Sequence, residues 1–131
     1  LKATAVFECL DISARHYIMA KASSWTFAIK KQIYVIPHIN IVYLESRGHN
    51  LVIHRIGEEA LIVRARLSTA LLKLPSELFV RCHKGYIVNI QYIRSLNKYG
   101  ITLLNGDCIP AGAKFIDTVY IGLAKFGGGI K

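Results

Sequence analysis

The chain has 131 residues, 53% of them hydrophobic, and its 17 Lys and Arg against 8 Asp and Glu give a formal net charge of +9. That length suits one domain and is short for two, and that hydrophobicity excludes intrinsic disorder, which requires few apolar residues and high charge. No stretch reaches the roughly 18 consecutive apolar residues of a membrane helix, because Lys, Arg, His or Glu interrupts every candidate, and no signal-peptide pattern opens the chain.

Residues 1–24 differ in character from the rest of the chain. Val6 to Leu10 is a short apolar run, and Asp11 is placed to cap a weakly amphipathic helix to about Lys21. This segment reads as a linker or the end of a preceding domain. Leu1 in place of an initiator Met reads as the start of a piece of a longer chain. From Trp25 the apolar period becomes two, with Trp25, Phe27 and Ile29 alternating with Thr26, Ala28 and Lys30. A second run, Ile33 to Ile36, ends at Pro37, which cannot donate to a ladder. Ile39–Leu44, Leu51–Ile56 and Ala60–Ala65 come next as strands, separated by turns at Arg47–Asn50 and Gly57–Glu59, and together they predict an antiparallel meander.

Leu67, Leu71 and Leu74 share one face of a short helix that Pro75 stops, since the residue before proline is pushed out of the α region. Phe79–Cys82 is a strand, His83-Lys84-Gly85 a turn, and Tyr86-Ile87-Val88 an apolar run closed by Asn89. Ile93–Leu96 and Ile101–Leu104 are strands around an Asn97–Gly100 turn. Asn105-Gly106 predicts a type I′ hairpin, because that dipeptide suits two successive positive φ angles. Cys108-Ile109 is ended by Pro110. Lys114–Lys125 is a last helix, with Phe115, Val119 and Leu123 four apart. The expected organisation is therefore a mainly β domain over 25–126, built of short antiparallel strands with two short helices, and a disordered tail over 127–131.

The charge is concentrated. Between Arg47 and Lys98 nine basic residues face three acidic ones. Such an excess favours a polyanion, whether DNA, RNA or an anionic membrane surface. Cys9, Cys82 and Cys108 form no CxxC pair, and an odd number without a secretion signal points to a reducing cytoplasm. No Cys/His set has zinc-site spacing, so neither metal nor cofactor is expected. Cys82 beside His83 invites a nucleophile–base reading. Neighbours on a strand point to opposite faces, however, so no enzyme is expected.

Three segments resemble the LytTR family of DNA-binding output domains of bacterial response regulators. They are Ile41-Val42-Tyr43-Leu44-Glu45-Ser46 with the turn after it; Phe79-Val80-Arg81-Cys82-His83-Lys84-Gly85-Tyr86-Ile87-Val88-Asn89; and Leu104-Asn105-Gly106-Asp107-Cys108-Ile109-Pro110. The second carries most of the specificity, and the resemblance spans about 25–125. It implies a fold of small stacked β-sheets whose loops, not a recognition helix, enter successive major grooves of duplex DNA. It also implies direct-repeat sites, a homodimer on DNA and a regulatory domain N-terminal to this piece, such as a phosphate-accepting receiver. No membrane partner is implied.

Carried over by position, His49 matches the base-contacting residue of the first loop, and Lys84 comes directly after the signature histidine. Ala113 stands where many members carry an arginine, with Lys114 beside it. The candidate DNA-binding residues are thus Arg47, His49, Asn50, Arg81, His83, Lys84, Lys98 and Lys114. Each has a plainer reading. Arg81 alternates onto the face of Phe79 and can be a half-buried structural residue. Lysine is a point charge that reads bases less sharply than arginine's planar fork. Asn89 is expected to satisfy turn backbone groups. Tyr34, Tyr43, Tyr92 and Tyr99 are expected mostly in half-buried positions and not as base-stacking platforms. Cys82 and Cys108 flank two of the loops and are a candidate redox pair, against the commoner reading of inert thiols. The competing functional class is a non-catalytic basic module that binds RNA, a membrane surface or a protein.

Overall fold

A computed structural model describes residues 23–126. The expected linker helix over Asp11–Lys21 and the tail over 127–131 lie outside the described residues. The described residues belong to two compact units, one ending at Ile39 and one beginning at Asn40.

In the first unit, β1 (Ser24–Ile29) and β2 (Gln32–Pro37) form a two-stranded antiparallel sheet in which Ile29 pairs with Gln32. Phe27 stacks on its cross-strand partner Tyr34 with ring centroids 5.9 Å apart, and Trp25 lies 5.0 Å from Phe27 on the same face. Lys30 and Lys31 form the two-residue turn with φ of +48° and +70°. Two successive positive φ angles are the mark of a type I′ turn, so that geometry occurs here and not at Asn105-Gly106. At the latter, Asn105 keeps a negative φ and only Gly106 is positive, at +96°. The Asn105 side chain accepts from the Asp107 amide at 3.0 Å. This local bond favours a longer loop, which the Gly106 amide closes by donating to Leu103 O at 2.9 Å.

A 3-10 turn at His38–Asn40 precedes the first strand of the second unit, so the strand expected from Ile39 begins at Ile41. Its strands are β3 (Ile41–Arg47), β4 (Asn50–Arg55), β5 (Leu61–Arg64), β6 (Phe79–His83), β7 (Tyr86–Asn89), β8 (Ile93–Asn97), β9 (Gly100–Leu103) and β10 (Cys108–Ile109). The helices are α1 (Leu67–Lys73) and α2 (Ile116–Phe126), the latter starting two residues later than its apolar spacing suggested. The expected meander holds for β3-β4-β5, which are consecutive antiparallel neighbours, but it does not extend to every strand before α1. Among the described residues β1 and β2 pair with each other, while β3 continues the larger sheet through β7 and β6 in the order β5-β4-β3-β7-β6. A separate three-stranded sheet has the order β10-β9-β8.

β3 is the central strand, and Ile41 to Leu44 are all buried, as expected of a strand covered on both faces. One face of the five-stranded sheet contributes Val42, Val80, Cys82 and Val88 to a core shared with Ile101, Leu103 and Ile109 of the smaller sheet and Val119 of α2. α1 packs against β3, β6 and β7. Gly122 explains the close seat of α2: a Cβ there would lie 2.8 Å from Ile90 Cδ1 and 3.3 Å from Val80 Cγ1. Asn89 is fully buried and ties two segments together. Its Nδ2 donates to Ile41 O at 2.8 Å, and its Oδ1 accepts from the Gln91 amide at 3.0 Å.

Candidate nucleic-acid interface

Antiparallel pairing sorts the loops of the large sheet to its two ends. Because Arg47 pairs with Asn50, Asn50 with Arg64, Glu45 with Tyr86, and His83 with Tyr86, one end collects the Gly48-His49 turn, the β5–α1 junction and the Lys84-Gly85 turn. The Ser46 amide donates to Gly85 O at 2.9 Å and links two of these loops directly. Between them lies a cleft of about 530 Å³, lined by Ser46, His49, Arg64, Arg66, Ser68, Arg81 and Lys84 among others.

Gly48 has φ +61° while His49 does not, the pattern of a type II′ turn with glycine at its first central position. This lifts an exposed His49 to the tip of the β3–β4 hairpin. Asn50 is exposed at the foot of that turn. Arg47 is exposed but engaged: Nε and Nη2 donate to the two carboxylate oxygens of Glu45 at 3.0 and 3.2 Å. Glu45 also receives His54 Nε2 at 3.0 Å and the Tyr86 hydroxyl at 3.5 Å. Burial alone would lift the Glu45 carboxyl, but these hydrogen bonds from Arg47 and His54 hold it below its ordinary value. His54 in turn stacks on Tyr43 with centroids 4.0 Å apart. Burial, reinforced by the charges of Asp107 and Glu45, pushes the Tyr43 phenol up to about 12.

Arg81 is half-buried, as its alternation with Phe79 suggested. Its Nη2 donates to Lys84 O at 2.6 Å and its Nε to His83 O at 3.4 Å. It therefore braces the turn that presents the exposed Lys84. His83 Nδ1 accepts from the Gly85 amide at 3.0 Å, so the neutral ring carries its proton on Nε2. The ring meets Tyr86 edge-on at 5.6 Å. The Gly112 amide donates to Cys82 O at 2.8 Å, which docks the segment after Pro110 along edge strand β6. Exposed Ala113 and Lys114 come next in that segment, outside the cleft lining.

Lys98 stands apart from this group. It lies in the β8–β9 turn, with Nζ 5.2 Å from the centre of the Tyr99 ring. Tyr99 is 82% exposed, unlike the buried Tyr43. Cys82 and Cys108 are both free thiols. Cys82 is buried, and burial pushes its thiol up to about 12, which suppresses the thiolate that exchange chemistry needs. Cys108 is exposed. No group of three or more His, Cys, Asp or Glu among the described residues is placed to share a metal ion. No helix among them is long and apolar enough to cross a membrane.

Arg64 and Arg66 line the cleft although sequence reasoning did not single them out. Their i, i+2 spacing at the end of a strand run is a visible signal, but it gains meaning only from the pairing of Asn50 with Arg64.

The profile of the LytTr DNA-binding domain matches residues 31–120. Among solved structures, the LytTr DNA-binding domain of a protein from Bacillus cereus, described as a methyl-accepting/DNA response regulator, is similar at 20% identity with a TM-score of 0.60. The match covers 81% of this chain and 97% of that one. No curated protein matches the chain. A profile match over most of the chain, together with the same fold of small antiparallel sheets, establishes that this chain belongs to the LytTr DNA-binding domain family.

Proposed function

We propose that the chain is the sequence-specific output module of a bacterial transcription regulator, with its DNA-binding domain over 25–126. The Gly48-His49 and Lys84-Gly85 hairpin turns enter successive major grooves of duplex DNA, and the segment carrying Lys114 runs along the same duplex. The observation that supports this reading best is the gathering of two hairpin tips and their basic side chains at one end of one sheet. His49 reads a base edge, Lys84 and Lys114 act chiefly on phosphates, and Arg81 and His83 hold the second turn in shape. Arg47 is fixed by Glu45 and serves the first turn more than the DNA, Asn50 at the foot of that turn meets the duplex backbone, and Lys98, apart from this group, adds to the positive field. The work is positioning and needs no catalysis, metal or cofactor. The reading extends to direct-repeat sites, a homodimer on DNA, an N-terminal regulatory domain in the parent protein and a cytoplasmic location.

Selecting bound fragments from a random duplex pool, followed by gel-shift titration, tests this. The selected duplex should bind more tightly than a scrambled one, with log K falling by roughly 0.9 per log unit of salt for each phosphate contact. His49→Ala should weaken the selected duplex by about 10-fold or more while leaving the scrambled one little changed. Equal binding of single-stranded RNA, anionic vesicles and duplex would refute the reading in favour of a general basic interaction module.

A further inference from the structure

We propose that the cleft between the two hairpin turns and the β5–α1 junction is a seat for one phosphate group, with Arg64 and Arg66 as its principal ligands. The inference rests on the DNA-binding reading and names residues that reading did not require.

The cations of this unit fall into two classes. Arg47 is paired with Glu45, Arg55 with Glu58 and the Glu59 carbonyl, and Arg94 donates to Leu104 O at 3.0 Å. The Arg64 and Arg66 side chains are exposed and make no hydrogen bond or ion pair among the described residues. They are nevertheless not scattered on a convex surface. Both line the cleft with Arg81 and Lys84, so three arginines and one lysine border the same space. No Asp or Glu lines it. Arg81 spends only Nε and Nη2 on carbonyls and keeps further donors for a ligand. Ser46 and Ser68, each with a hydroxyl to donate, also line the wall.

Like charges held together without a counter-ion repel one another, and a concave wall concentrates their field. An oxyanion relieves that repulsion. Arginine's planar fork matches a phosphate's oxygens two at a time, which gives direction as well as charge. The chemistry selects a phosphate group over a carboxylate-bearing apolar ligand, because the lining is strongly polar. The group can come from a duplex backbone spanning the two hairpin tips or from a free phosphorylated molecule, and the two sources are separable. In the first case the seat fixes the register at which the tips meet base edges.

The test is the double variant R64Q/R66Q in the whole chain, chosen because both side chains are exposed and the fold should tolerate the change, as an unchanged melting curve would verify. With the DNA source, affinity for selected and scrambled duplex falls by a common factor of roughly 10 to 100. The salt slope then drops by about 0.9, the value of one phosphate contact. In parallel, inorganic phosphate is titrated into the wild type while the arginine side-chain Nε–H resonances are monitored by NMR. Saturable shifts at Arg64 and Arg66, lost in the variant, support the seat. If these shifts occur while duplex affinity and slope are unchanged in R64Q/R66Q, the seat serves a free phosphate. Unchanged duplex binding together with no saturable shift overturns the proposal, while His49→Ala continues to report on base reading. Conversely, shifts at Arg64 and Arg66 in a chain that binds no duplex preserve the seat and refute the DNA reading.

Discussion

Asn89→Ala should destabilise the domain far more than a small polar-to-apolar change usually does. The side chain is fully buried and makes two bonds of good length: Nδ2 to Ile41 O at 2.8 Å and Oδ1 from the Gln91 amide at 3.0 Å. Alanine removes both, at about 1 kcal/mol net each, and leaves a buried carbonyl and an amide short of a partner at about 1–3 kcal/mol more. A loss of about 3–5 kcal/mol is therefore expected, equivalent to a fall in Tm of roughly 12–40 °C for a domain near 100 residues. Asn89→Asp is the sharper probe. It keeps the acceptor for Gln91 but turns a carboxylate oxygen towards the Ile41 carbonyl, so at pH 7 it should be at least as damaging as alanine. Its deficit should shrink at acid pH, where a protonated carboxyl can donate to Ile41 O. Urea denaturation with midpoints and slopes compared at pH 7 and pH 4 measures all three proteins. An alanine loss below about 1 kcal/mol, or an aspartate variant as stable as wild type at pH 7, would refute the reasoning.

Local geometry sets two more expected outcomes. Because the folded-state Glu45 carboxyl lies below its ordinary value, its contribution is fully present above the usual carboxylate range and is lost as pH falls through the lowered value. The stability gap between wild type and Glu45→Gln should thus be constant near neutrality and close in acid; a gap unchanged down to pH 3 would show that Arg47 and His54 do not act through the charge. At the β1–β2 turn, Lys30 and Lys31 both sit at positive φ, a conformation that costs roughly 1 kcal/mol or more for a residue with a Cβ. Replacing them by Asn and Gly should slow hydrogen exchange of the hairpin amides by about 10-fold, and equal or faster exchange would argue against a type I′ turn there.

Much of the secondary structure was legible because it is locally determined. Pro75 ended α1 where expected, leaving Leu74 extended, and the period-two runs gave most strands to within about two residues. Turn type was less legible. Asn105-Gly106 carried the stronger I′ signal, yet the Asn105 side chain bonded forward to Asp107, and Lys30-Lys31 took the I′ geometry because β1 and β2 pair through Ile29 and Gln32. Hairpin neighbours such as β3–β4–β5 and β8–β9 were legible from the short turns between them, but distant strand partners were not. Nothing in the runs themselves placed β7 and β6 beyond β3 or left β1–β2 apart, since pairing is a choice among distant segments of similar composition.

By itself the sequence determined that this is a basic, mainly β chain, and the ordered residues from Phe79 to Asn89 pointed to its family. It also marked His49 and Lys84 as turn residues, because glycine beside them restricts where the chain can reverse. The tertiary structure alone decided which cations stay available. Arg47 and Arg64 look alike in sequence, but Glu45 engages the first from two residues back on the same strand, while the register that sets Asn50 opposite Arg64 brings the second to an open cleft. Charge is a property of residues, whereas its compensation depends on partners that only folding brings within hydrogen-bonding distance.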